Sequence, residues 1–161
     1  MQWLTSWRAN CLQRTVAGLD LLAALRGREQ EMPAHLATGI EGEEAAYFCL
    51  MRKGYQVVAR RWSSGNVPGD VDLIAWQGSL LCFVEVKTRT ARDATPAEAA
   101  VDSHKRSTLR RLASQYVRQL PQETAPQVRF DVISVYLVAG GTDCVHFENA
   151  FGWNERRRDW D

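Results

Sequence analysis

The sequence predicts an α/β domain in which a mixed central sheet is flanked by helices, and three observations predict it. Val71–Trp76 and Leu80–Val84 are strand-like runs separated by Gln77-Gly78-Ser79, which reads as a tight hairpin. Leu109, Leu112, Ala113, Tyr116, Val117 and Leu120 form one apolar helical stripe. That stripe precedes a further clear strand, Arg129–Val138. The hairpin makes its two strands antiparallel, whereas a helix between the Leu80 run and the Arg129 run implies a parallel crossover.

The elements follow in order. Trp3 to Leu25 carries Leu12, Val16, Leu19, Leu22, Ala23 and Leu25 at roughly helical spacing, broken by Gly18, and residues 26–38 are polar. Residues 1–37 therefore read as an amino-terminal helical extension and linker, with Met32 as an alternative start. The extension has no compact basic region, strongly apolar stretch and small-residue cleavage site, so it does not read as a secretory signal. Residues 43–51 are helix-compatible and stop at Lys53-Gly54, where basic residues suit the helix C-terminus and glycine ends it. Tyr55–Arg61 alternates as a strand, and Ser63–Gly69 has the chemistry of a loop. Beyond Lys87, Thr95-Pro96-Ala97-Glu98 has the capping-box pattern with proline at the first helical position. Val145–Phe147 adds a short final strand across Gly140-Gly141. The domain is expected to span 38–151, with a polar tail at 152–161.

Composition narrows the function without choosing it. The chain has 161 residues, 45% hydrophobic and 24% charged, which suits one globular domain with its own core. No apolar run approaches a membrane-spanning length, so membrane association is not expected and a cytoplasmic location is. Cys11, Cys49, Cys82 and Cys144 form no Cys-x-x-Cys pair, which argues against a zinc site or a disulfide framework and for reduced thiols. A net charge of +1 supports no global attraction to nucleic acid, so any such argument rests on local patches.

The chemistry concentrates in Glu85-Val86-Lys87, at the end of an otherwise apolar strand. If Gly78 and Ser79 form the turn, Gln77 faces Leu80 and the register carries Asp72 opposite Glu85, with Lys87 on the same face. Opposed residues have Cβ atoms roughly 4.5–5.5 Å apart, where two carboxylates repel. A divalent cation would remove that penalty, and Mg²⁺ is commonly held by one or two carboxylates plus water and phosphate oxygens. Lys87 would then orient or help deprotonate an attacking water, or offset charge developing on phosphorus. Asp70 adds a third acid at the strand entrance.

The linked motifs resemble a known family. Thr38-Gly39-x-x-Gly42-Glu43-x-x-Ala46, Gly69-Asp70-Val71-Asp72-Leu73-Ile74, Phe83-Val84-Glu85-Val86-Lys87-Thr88-Arg89, Arg129-Phe130-Asp131-Val132 and the closing Phe147–Phe151 are together similar to the bacterial YraN or UPF0102 family, within the PD-(D/E)XK superfamily. The resemblance implies a restriction-endonuclease-like, Holliday-junction-resolvase-like fold with core order αβββαβ. It also implies a Mg²⁺- or Mn²⁺-dependent endonuclease acting on DNA in repair, recombination or processing. Carried over, Asp72 and Glu85 are metal ligands, Lys87 is the catalytic lysine, and Glu43 is a further metal contact. Asp70 stands where the family usually has Glu, a shorter reach that counts against direct ligation.

Other residues are weighed against plainer roles. Glu43 equally suits a first-turn acid at a helix N-terminus. Asp131 beside Arg129 reads as a strand-end ion pair rather than a catalytic group. His35, His104 and His146 read as surface histidines. Lys105, Arg106 and Arg89 are candidate phosphate contacts, though a charge run is ordinarily a solvated face. Arg156-Arg157-Arg158 reads as solubilising, and Trp62 and Trp76 as core. The expected partner is DNA, branched or single-stranded, with a homodimer favoured if junctions are cut. Two other classes remain open. One is a non-cleaving nucleic-acid-binding accessory module on the nuclease fold, and the other is a protein-interaction module using the amino-terminal helix.

Overall fold

The computed structural model describes residues 34–89, 101–121, 123, 126–139 and 141–153. The amino-terminal helix, the capping box at Thr95–Glu98 and the arginines of the tail lie outside them. Helix α1 (Ala34–Arg52) leads into strands β1 (Gln56–Ser64), β2 (Val67–Gln77) and β3 (Leu80–Arg89). Helix α2 (Ser103–Val117) precedes β4 (Gln127–Val138) and β5 (Gly141–Phe151). The five strands lie in sequence order in one sheet, antiparallel except for the parallel β3–β4 pair. The mixed sheet with its crossover helix is the expected architecture.

Alternation along the strands divides the core into two layers. Leu73, Ala75, Cys82, Val84, Ile133 and Val135 pack under Ala45, Ala46 and Leu50 of α1. Ile74, Leu81, Phe83, Phe130 and Val132 pack under Leu109, Leu112 and Ala113 of α2. Each fully buried leucine there contributes about 1.5–3 kcal/mol of transfer free energy. Trp62 and Trp76 pack against the second layer, as expected of core aromatics. Asp102 caps α2, its carboxylate accepting from the Lys105 amide at 2.8 Å.

The β2–β3 hairpin has the expected register, Gln77 facing Leu80, and Gly78 adopts the positive φ of 60° that the turn requires. Four boundaries differ from expectation. Helix α1 begins at Ala34, so the stretch 34–38 is helical rather than linker, and Gly39 and Gly42 lie inside the helix. Gly42 is there because the helix passes against β3: a Cβ at that position would lie 1.8 Å from Thr88 Oγ1. The expected loop at 63–69 is mostly strand, since β1 runs to Ser64 and β2 starts at Val67. Strand β5 is eleven residues long rather than a short 145–147 segment, because β4 supplies partners from Val138↔Gly141 to Phe130↔Phe151.

Two side-chain expectations also change. His146 is a buried histidine, not a surface one, with Nε2 3.0 Å from Asp131 Oδ2. Glu43 lies well inside α1 rather than in its first turn, which removes the helix-terminus explanation for this acid. Cys49 and Cys82 are buried and Cys144 half-buried, all as free thiols. No helix among the described residues is long and apolar enough to cross a membrane.

Candidate functional site

The site forms where β2 and β3 part. Their ladder ends at Leu73↔Val84, one step before Asp72 would meet Glu85. Asp72 stands in for the missing backbone partner: its Oδ2 accepts the Val86 amide at 2.6 Å. On its other side β3 stays paired with β4 as far as Arg89↔Tyr136, so the Glu85 and Lys87 backbones are fixed by that parallel ladder. A cleft of about 520 Å³ opens at the parting, lined by Thr38, Gly39, Glu43, Asp72, Glu85, Val86 and Thr88. A larger hollow of about 730 Å³ is lined by Leu80, Val117, Arg118, Arg129, Asn149 and Trp153 among others, and among the described residues no acidic side chain lines it.

Glu85 is the centre of the arrangement. It is only 3% exposed, and a lysine approaches each of its oxygens. Lys87 Nζ donates to Oε1 at 2.9 Å, and Lys105 Nζ from α2 stands 3.1 Å from Oε2. The second contact is an ion pair without hydrogen-bond alignment, so Oε2 is a buried acceptor with no hydrogen bond. Such an atom costs free energy unless something satisfies it. Asp72 is stressed in a different way. Burial and then the neighbouring Glu85 charge push its carboxyl from 3.8 up to about 7, against the opposing pull of the Val86 amide and Lys105. Lys105 sits above its ordinary value: burial opposes its charge, but the acids around it, Glu85 first, outweigh that. It also donates to the Asp70 backbone carbonyl at 3.3 Å.

Glu43 reaches the same cleft from α1. It accepts a two-pronged contact from Arg61 on β1, with Nε at 2.6 Å and Nη2 at 2.9 Å. Arg61 has a left-handed backbone, φ 46°, uncommon for a residue with a side chain. Asp72, Glu85, Lys87, Glu43 and Lys105 are thus brought together. Arg89 ends β3, half-buried, two residues beyond Lys87. Arg106 faces elsewhere: Nε donates to the Val101 carbonyl at 2.7 Å, and the guanidinium lies 5.7 Å from the Phe151 ring centre. The Arg61 contact was not legible in sequence, because it depends on one unusual backbone angle. The pairing of Lys105 with Glu85 depends on where the crossover helix lands.

A divalent cation fits this donor set. A buried carboxylate, Glu85, and a half-buried one, Asp72, line one cleft, the first with an oxygen held only by the Lys105 ion pair and the second with a raised pKa, and a cation would relieve both conditions. Among the described residues no three His, Cys, Asp or Glu side chains form a ready-made cage. The set therefore suits a cation that keeps several water or phosphate ligands.

Asp131 forms a second buried acidic centre, on the face of β4 toward α1. Arg129 binds it with two hydrogen bonds of 2.8 Å, His146 approaches at 3.0 Å, and the Asn149 amide donates at 2.9 Å. Arg129 also donates to the Tyr55 hydroxyl and pairs with Glu148. The ion-pair expectation for Asp131 holds, within a larger network. Burial alone would raise its pKa, but His146, Arg129 and the Asn149 amide hold it below the usual carboxylate range.

The mixed sheet between two helices, with opposed acids and a lysine on its parting central strands, defines a restriction-endonuclease-like α/β protein. Comparison with known proteins places it more narrowly. Residues 42–135 match the model of the uncharacterised protein family UPF0102. A UPF0102 protein of Koribacter versatilis is 46% identical over 123 residues, covering 76% of this chain and 85% of the relative. Relatives from Solibacter usitatus, 43% identical over 76% of this chain and 90% of the relative, and Porphyromonas gingivalis, 42% identical over 74% and 87%, carry the same family name. The chain belongs to the UPF0102 family.

Proposed function

We propose that the chain is a metal-dependent endonuclease that hydrolyses DNA phosphodiester bonds. The observation that carries the reading is Glu85: a buried carboxylate whose Oε2 has only the Lys105 ion pair, beside an Asp72 whose own ionisation is suppressed. Asp72 and Glu85 would hold Mg²⁺ or Mn²⁺, with Glu43 as a further contact. When bound, such a cation supplies an activated water and offsets charge on the phosphate. Lys87, which donates to Glu85 Oε1, would orient the attacking water and stabilise negative charge as the bond to phosphorus breaks. Lys105 keeps a second positive charge beside the same carboxylate, and Arg89 lies further along the strand for a neighbouring phosphate. Arg106 would contribute to DNA binding only on leaving the Val101 carbonyl. The reading extends to a cytoplasmic role in repair, recombination or processing of branched or single-stranded DNA, with a homodimer matching a two-fold junction.

One observation favours a second reading, a nucleic-acid-binding module that does not cleave. Two lysines already flank Glu85, and a carboxylate so compensated has less need of a metal. The deciding experiment incubates the purified protein with Mg²⁺ or Mn²⁺ and a panel of labelled duplex, single-stranded, flap and junction DNAs, beside Glu85→Ala. Cleavage by wild type and none by the variant supports the endonuclease. Binding with no cleavage by wild type supports the module.

A further inference from the structure

We infer that Arg61 is a phosphate-binding site held closed by Glu43, so that capture of a cation by the cleft releases an anchor for the DNA backbone. The inference rests on the endonuclease reading and adds a recognition site on β1, an edge strand of the sheet. Four observations carry it. Arg61 belongs to an edge strand, and its side chain is 51% exposed, whereas that of Glu43 is 16% exposed. The fork is engaged side-on through Nε and Nη2, the geometry that also fits two oxygens of a phosphodiester. The left-handed backbone at Arg61 turns its side chain out of strand alternation toward α1 and the cleft, an unusual conformation that an ordinary surface ion pair does not need. Finally, Arg60 is exposed beside it, with its guanidinium 5.1 Å from the Tyr47 ring centre, so two cations lie side by side along α1, the helix that carries Glu43 into the cleft.

The exchange follows from one carboxylate having two suitors. Glu43 cannot give both oxygens to Arg61 and also enter a cation's coordination shell. When it turns to the cation, Arg61 is left next to the cleft with an unfilled fork, and a phosphate oxygen pair is the matching ligand. Without the cation, the same contact covers the anchor, so DNA binding and cation binding reinforce each other through a reciprocal coupling.

The test measures cation and DNA binding in the full chain, without reference to cleavage. Mn²⁺ affinity is measured by calorimetry. Binding of a labelled oligonucleotide is measured by anisotropy, in EDTA and in Ca²⁺, across a salt series. Arg61→Gln should bind Mn²⁺ about 3- to 10-fold more tightly, because its competitor for Glu43 is gone. In Ca²⁺ it should bind DNA several-fold more weakly, with the salt slope reduced by about 1. A purely structural Arg61 would instead weaken both, and that result overturns the inference, as does an unchanged DNA affinity and slope. Glu43→Gln is the second variant: in EDTA it should bind DNA several-fold more tightly than wild type. Glu44→Gln removes the same charge one residue away, and equal tightening there would reduce the effect to net charge and overturn the inference. Glu85→Ala separates the two readings. If it binds Mn²⁺ like wild type, the cation site itself is wrong and the anchor falls with it. If it loses Mn²⁺ while Arg61→Gln gains none, only the anchor is wrong.

Discussion

Two aspartates on one sheet, Asp131 buried and Asp72 half-buried, have opposite fates. Asp131 receives donors from Arg129, His146 and the Asn149 amide, and its carboxyl is held below the usual range. Asp72 has one backbone donor and faces Glu85, and its carboxyl is pushed up to about 7. Burial works against ionisation in both, so the difference lies in who surrounds the charge. Where the fold needs a charge for itself, it saturates that charge. Where it leaves a carboxylate under-satisfied beside another, the proposed reading assigns the spare coordination capacity to a cation, and the contrast with Asp131 is what motivates that assignment.

The sharpest way to break that comparison is to remove one acid from each centre. Glu85→Ala or Lys87→Ala should lower cleavage by at least about 10³-fold, read from initial rates on the best substrate of the panel, while the melting temperature changes little. Asp131→Ala should do the reverse, costing about 3–5 kcal/mol in urea unfolding, because Arg129 loses its buried counter-ion and keeps only the half-exposed Glu148. If Asp131→Ala abolished cleavage without destabilising the fold, the structural assignment of that centre would be wrong.

Cation and pH effects come next in size. Mg²⁺ at a hundredfold excess over its Kd should stabilise the native state by about 2.7 kcal/mol in thermal unfolding, and Asp72→Asn should lose most of that gain. Without metal, the two centres should respond to acid with opposite signs. Native Asp72 keeps its proton up to about 7 while the unfolded chain loses it near 3.8, so stability falls as pH rises between those values. At about 1.4 kcal/mol per pKa unit the effect amounts to a few kcal/mol, and Asp72→Asn should flatten it in urea titrations at several pH values. Asp131 contributes fully above its unfolded value and loses its contribution as pH drops through its lower native one.

The smallest effect concerns the wall of the cleft. Gly42→Ala should cost about 1–3 kcal/mol and disturb the end of β3, since its new methyl would overlap Thr88. Adding Thr88→Ala should recover only part, because Thr88 Cβ itself would lie 2.8 Å away.

What could be read in advance was what local rules govern. The Gly78-Ser79 turn set the register that brings Asp72 level with Glu85, and the helical stripe at Leu109 and Leu112 required the parallel crossover. What escaped was decided by distant partners. Gly39 and Gly42 look like helix breakers in one dimension, yet Gly42 is demanded by the approach of Thr88 from another element. His146 has no nearby sequence partner, and its burial follows from Asp131 on the adjacent strand. Strand β5 contains Asp143, Glu148 and Asn149, which argue for loop; β4 pairs Asp143 with Tyr136 and the strand absorbs Glu148 and Asn149 in a bulge between Phe147 and Phe151. Glu43 looked like a helix-start acid only because the helix start itself was misplaced.

The parting of β2 from β3 makes the cleft a vice with one fixed jaw and one sprung jaw. Glu85 and Lys87 ride on a strand clamped to β4 well beyond them, whereas Asp72 rides on a strand that has just let go of its neighbour and holds on by a single side-chain bond. The gap between the two acids is therefore governed from the far side of the sprung jaw, by β1 and its left-handed Arg61. Under the endonuclease reading, substitutions there would retune the ion preference of the vice without altering Asp72 or Glu85, acting through the strand and through the Glu43 that Arg61 holds.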